Sequence, residues 1–183
     1  AQGQDTPPGA VAGLAGQVLP GGGWEWARGW GADTNATALA VQALLAGGQP
    51  VTSTVIVDAL IYLKGAQNGD GGFAYSVDGA TPGASDANST AYVVQALVAA
   101  RQDVRSAAWR VGGRNPIDYL LSLQAPDGSF AWQAGQGTNL LATQQVIPAL
   151  LERAQPLWPL AAAGGQNLHT TAYPALLLPE IRR

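Results

Sequence analysis

The sequence predicts an all-α domain of about three and a half helical hairpins. Three observations predict it. A stretch running from an acid or amide to an Ala-Leu pair recurs at a constant offset, a glycine turn carrying two aromatic residues alternates with it, and apolar residues between them recur at helical spacing.

Taken in chain order, Pro7-Pro8-Gly9 marks residues 1–10 as an extended arm. The first turn follows, in a loose form, as Gln17 and then Gly21-Gly22-Gly23-Trp24-Glu25-Trp26. The first inner helix is read over Thr37 to Ala46, which is apolar nearly all round, as a helix buried on most sides must be. Asp33 and Asp86, or their neighbours Asn35 and Ser85, suit the N-cap, because a short side-chain oxygen can accept from the first free N–H groups. Ile56 to Ala66 shows a wet side at Asp58 and Lys64 and reads as an outer helix. Gln67-Asn68-Gly69-Asp70-Gly71-Gly72-Phe73-Ala74-Tyr75 is the second turn.

The segment from Asp33 to Leu44 lies on Asp86 to Leu97 without a gap at an offset of 53, so a second inner helix spans Thr90 to Ala100. Ile117 to Gln124, with Asp118 and Ser122 outward, is the next outer helix, and Gln124-Ala125-Pro126-Asp127-Gly128-Ser129-Phe130-Ala131-Trp132 the third turn. A further step of 53 reaches Asn139 to Leu150, where Pro148 removes one helical hydrogen bond and predicts a kink. The repeat domain spans 11–153. Gln155-Pro156-Leu157-Trp158-Pro159 breaks the pattern, and 154–183 reads as a cap or tail.

Composition excludes several functions. The 183 residues contain no cysteine, hence no disulfide, thiolate metal site, thioester or cysteine nucleophile. A net charge of −3 without a Lys/Arg cluster offers nothing to nucleic acid or to an anionic membrane surface. No apolar run is long enough to span a bilayer. The start Ala1-Gln2-Gly3-Gln4, lacking an initiator methionine, suits a mature chain after signal removal, so the expected location is secreted or cell-surface.

The Gln-x-x-Asp-Gly-(Gly/Ser)-Phe-Ala-(Tyr/Trp) turns resemble the Gln-Trp-type repeats of the terpenoid cyclase and protein prenyltransferase superfamily, over roughly residues 11 to 153. That resemblance implies an α/α toroid, hairpins closing into a double ring about a cavity. A closed ring of six such hairpins needs far more than 183 residues, so a partial toroid or open solenoid is expected. Gln144 to Leu150 is also similar to the last inner helix of the α-domain in cobalamin carriers and their bacterial surface relatives.

The catalytic residues that the resemblance implies are mostly missing. Squalene-hopene-type cyclases protonate their substrate with Asp-x-Asp-Asp-Thr-Ala, and here Asp86-Ala87-Asn88-Ser89-Thr90-Ala91 has an amide and a hydroxyl in place of the two later acids. Prenyltransferases hold zinc with Asp, Cys and His, and the only histidine is His169, in the irregular tail. No metal and no cofactor is expected.

Other candidates carry two readings each. Trp24, Trp26, Phe73, Tyr75, Phe130 and Trp132, with Trp30, either stack a ligand or pack the turns while Gln67 and Gln124 tie helix ends. Gln145 is the further ligand-binding candidate. Asp70, Asp78 and Asp86 fit no calcium-loop spacing. Asn35-Ala36-Thr37 and Asn88-Ser89-Thr90 match the glycosylation pattern but coincide with the helix starts. Glu25, between two tryptophans, lacks a partner acid for glycoside hydrolysis.

The expected function is therefore a non-catalytic exported module for binding or assembly, working through a protein partner, a second copy of itself or its inner groove. Two rivals stand beside it: a cyclase-like enzyme using Asp86 or Asp33 on an isoprenoid, and a carrier of a small, cobalamin-like or apolar ligand.

Overall fold

The computed structural model describes residues 9–77 and 83–154; residues 1–8, Asp78 and everything from Gln155, including His169 and the cap or tail, lie outside the described residues. In order come α1 (Ala10–Ala15), β1 (Trp24–Glu25), β2 (Ala32–Asp33), α2 (Thr34–Ala46), α3 (Thr54–Gly65), β3 (Phe73–Ala74), β4 (Ser85–Asp86), α4 (Ala87–Ala99), α5 (Pro116–Ser122) and α6 (Leu140–Leu150). The chain is all-α in its architecture. Helices α2, α4 and α6 pack side by side as an inner row, with α1, α3 and α5 against them as the outer partners.

The two classes of helix separate as their patterns require. On α4, Ala91, Val93, Val94, Ala96 and Leu97 are all fully buried, and so are Ala38, Val41 and Leu44 on α2. Asp58, Asp118 and Ser122 remain exposed on the outer helices, which bury Ile56, Leu60, Leu63, Ile117 and Leu120 instead. Each fully buried Val, Leu or Ile side chain contributes about 1.5–3 kcal/mol, so these alternating rows hold the array together.

A set of latches recurs in each repeat and explains why its residues recur. The side-chain oxygens of Asp33, Asp86 and Asn139 accept from the backbone N–H of Ala36 (2.7 Å), Ser89 (2.8 Å) and Ala142 (2.7 Å), capping α2, α4 and α6. The hydroxyls of Thr37, Thr90 and Thr143 accept from the N–H of Trp24, Phe73 and Phe130, each at 2.9 Å, and so tie every turn to its inner helix. Tyr62 and Tyr119 donate to the carbonyls of Ala32 and Ser85, both at 2.7 Å, fastening each outer helix to the preceding turn. Gln67 donates to the carbonyls of Gly71 (3.2 Å) and Trp109 (2.8 Å), which makes it a clamp on the glycine turn itself.

The short strands were not expected. Each glycine turn returns the chain antiparallel to the residues that enter the next inner helix, pairing Trp24 with Asp33 and Phe73 with Asp86. Two-residue pairings are too short to write an alternating pattern into the sequence. Gly71 (φ 87°) and Gly72 are required there, because a Cβ would stand 2.6 Å from the Asn115 carbonyl oxygen at the first and 2.7 Å from the Tyr119 ring at the second. Helix α6 continues through Pro148 and ends at Leu150. Its Leu140, Leu141 and Ile147, with Leu151 just beyond, are exposed.

Candidate functional site

The acids that a cyclase would use are occupied as helix caps. Asp86 is buried; Oδ1 accepts from Ser89 N at 2.8 Å and Oδ2 from the Ser89 hydroxyl at 2.7 Å. Burial pushes its carboxyl above the usual range, and hydrogen bonds from Ser89, Asn88 and the Trp132 side chain offset only part of that shift. Asp33 is placed in the same way, accepting from Ala36 N at 2.7 Å and Trp26 N at 3.1 Å, and burial raises it too. A raised pKa makes each a weaker acid.

Asn88 lies on the first turn of α4, and its Oδ1 is shielded without a partner among the described residues; Asn35 Oδ1 on α2 is in the same state. Both asparagines sit inside helices with Thr37 and Thr90 buried behind them, and of the sequon residues it is these threonines that tie each helix to its turn. Gln145 on α6 donates to the Tyr92 hydroxyl on α4 at 2.6 Å, while its Oε1 is buried without a partner among the described residues. It bridges two inner helices. Glu25 accepts from Gly29 N at 2.8 Å and Gly31 N at 3.2 Å, holding the loop that carries Trp26 and Trp30.

The aromatic pairs divide, and the division is the same in all three turns. Trp24, Phe73 and Phe130 are buried in the core, as packing requires. Their companions face solvent: Trp26 is 71% exposed, Tyr75 48% and Trp132 43%, and Trp30 is 73% exposed. The Tyr75 carbonyl accepts from Thr34 N at 2.7 Å and the Trp132 carbonyl from Ala87 N at 2.8 Å, so these two are anchored at the first turn of the preceding repeat's inner helix, whereas Trp26 donates through its backbone N–H to Asp33, the cap of the inner helix in its own repeat. Trp26 and Tyr75 therefore lie at the N-terminal end of α2 and Trp132 at that of α4, along the rim formed by the N-terminal ends of the inner row. Burial and the nearby Asp33 carboxylate raise the Tyr75 phenol.

Beside Trp132 lies an open cleft of about 520 Å³, lined by Asn68, Asp70, Ser85, Tyr119 and Gln133 among others. Asn68 donates to the Gly83 carbonyl (2.8 Å) and to Ser85 Oγ (3.0 Å), and Ser85 Oγ donates to Asp70 (2.8 Å). Burial, with the charges of Asp70 and Asp86, raises the Tyr119 phenol strongly. The sequence marked Tyr119 and Asn68 only as repeat positions; what it lacked was the packing of α5 on the second turn that makes them line a cleft. Among the described residues, no group of three His, Cys, Asp or Glu could hold a metal ion, and no helix is long and apolar enough to cross a membrane.

A family model described as the squalene-hopene cyclase C-terminal domain matches residues 9–164. No curated protein matches the chain.

Proposed function

The chain belongs to the squalene-hopene cyclase C-terminal domain family, and we propose that it is a member without cyclase chemistry: an exported module that binds or assembles. One observation carries this reading. Where the initiating acids of squalene-hopene-type cyclases belong, this chain has Asn88 and Ser89, and the remaining carboxylate, Asp86, accepts hydrogen bonds from Ser89 at both of its oxygens.

Protonating an alkene needs a strong acid poised with its proton toward the substrate. An amide supplies no such proton. Burial moves Asp86 toward a weaker acid, and its capping bonds fix it on the backbone of α4. The same argument applies to Asp33. The exposed leucines of α6 and the exposed aromatic rim support the binding and assembly side of the reading, since large apolar groups left in contact with water on a repeat array mark interaction surfaces.

The test is incubation of the full chain with squalene and, separately, with geranylgeranyl diphosphate. No cyclised or transferred product is expected above the background without protein. Product that disappears in Asp86→Asn would overturn the proposal.

A further inference from the structure

The rim has three properties that together specify a ligand chemistry. It is periodic: Trp26, Tyr75 and Trp132 occupy the same place in successive turns, with Trp26 and Tyr75 bonded at the start of α2 and Trp132 at the start of α4, and packed helices stand about 8–10 Å apart. It is also preorganised. Glu25 holds the Trp26 to Trp30 loop by two backbone hydrogen bonds, and the carbonyls of Tyr75 and Trp132 are bonded to the helix starts, so little ordering remains to be done on binding.

Its charge is the third property. Asp33 and Asp86 stand beside the aromatics, Asp70 lies in the adjoining cleft, and the loop's one cation is the exposed Arg28. An anionic polymer would meet like charge. Aromatic faces suit the C–H faces of sugar rings, and the amides, hydroxyls and carboxylate of the cleft suit their hydroxyl groups.

We propose that this rim binds an extended neutral glycan chain, with sugar rings stacked in turn on Trp26, Tyr75 and Trp132 and hydroxyl groups read by Asn68, Asp70 and Gln133 in the cleft. The inference deepens the binding-module reading and rests on it for the role of the surface, though the two fail separately: turnover of squalene would leave the glycan measurement standing, and failure to hold glycan would leave the absent proton donors as they are.

The experiment is native electrophoresis of the full chain through gels containing hydroxyethylcellulose, mixed-linkage β-glucan, mannan or glycol chitin, with dextran sulfate as the anionic comparison. Retardation by at least one neutral polymer is expected. Trp26→Ala and Trp132→Ala should each weaken it about tenfold, the order of one lost stacking contact, and the double variant should abolish it. Unchanged thermal melts would show that these exposed side chains were removed without unfolding. Absence of retardation in every neutral gel overturns the proposal, as does retardation that survives in the double variant. Salt-sensitive retention in dextran sulfate alone overturns it too. A dimer seen by light scattering and lost in the double variant would assign the rim to a second copy instead.

Discussion

Helices α4 and α6 descend from one sequence pattern and sit in different surroundings. Nine of the thirteen residues of α4 are buried, with α2 on one side and α6 on the other, whereas α6 buries three of its eleven. Both are capped by a short side chain and both are tied to their turn through a threonine. The local signals therefore specify a helix in either place, and the neighbour decides what that helix contributes to stability.

That contrast can be broken most sharply at its leucines. Leu97→Ala on α4 empties a fully buried site and should cost about 2–5 kcal/mol in chemical unfolding. Leu141→Ala on α6 removes a largely exposed side chain and should change stability by less than about 0.5 kcal/mol. Similar losses at the two would mean that α6 is covered in solution.

The turns offer a smaller effect. A methyl group at Gly72 would lie 2.7 Å from Ser85 Cβ and from the Tyr119 ring, so Gly72→Ala should destabilise by about 1–3 kcal/mol. The equivalent position in the third turn is Ser129, where Ser129→Ala loses only an exposed hydrogen bond to Asp127 and should be close to neutral, within about 0.5 kcal/mol. Equal melting temperatures for the two variants would show that the Tyr119 contact does not constrain the second turn.

The caps give the smallest effect and sharpen the comparison electrostatically. Because burial raises the Asp86 carboxyl above its ordinary 3.8, the folded chain holds that proton more tightly than the unfolded chain. The stability it contributes is present in acid and is lost as pH rises from 3.8 through the raised folded value. Asn139 already performs the same capping on α6 with an amide. Asp86→Asn should keep the cap and flatten this slope, so the wild type should lose stability relative to the variant across that window. Parallel unfolding profiles would locate the slope elsewhere.

Much of this was legible before any coordinates. The offset of 53 placed the inner helices and pointed to Asp33 and Asp86 as caps, because capping chemistry is local and leaves its residue type in the sequence. The division of the aromatic pairs was not legible. A strand would place Trp24 and Trp26 on one face, but the pairing ends at Glu25 and the chain turns away, leaving one ring buried and the other in water. The roles of Tyr62 and Tyr119 depend on contacts 30 and 34 residues distant, which no local pattern records. Likewise the hydrogen bond from Gln145 to Tyr92, 53 residues earlier, is a contact that no local pattern records.

One substitution between the turns bears on how such an array could be lengthened. Gly23 and Gly72 have no room for a side chain because Ala32 or Ser85 and a tyrosine from the following hairpin lie against them, and Ser129 breaks that rule in the third turn. Grafting another Tyr62-type hairpin after α6 would drive the incoming ring into the serine's Cβ. A protein engineer extending this scaffold would have to revert that one position to glycine before adding a single helix.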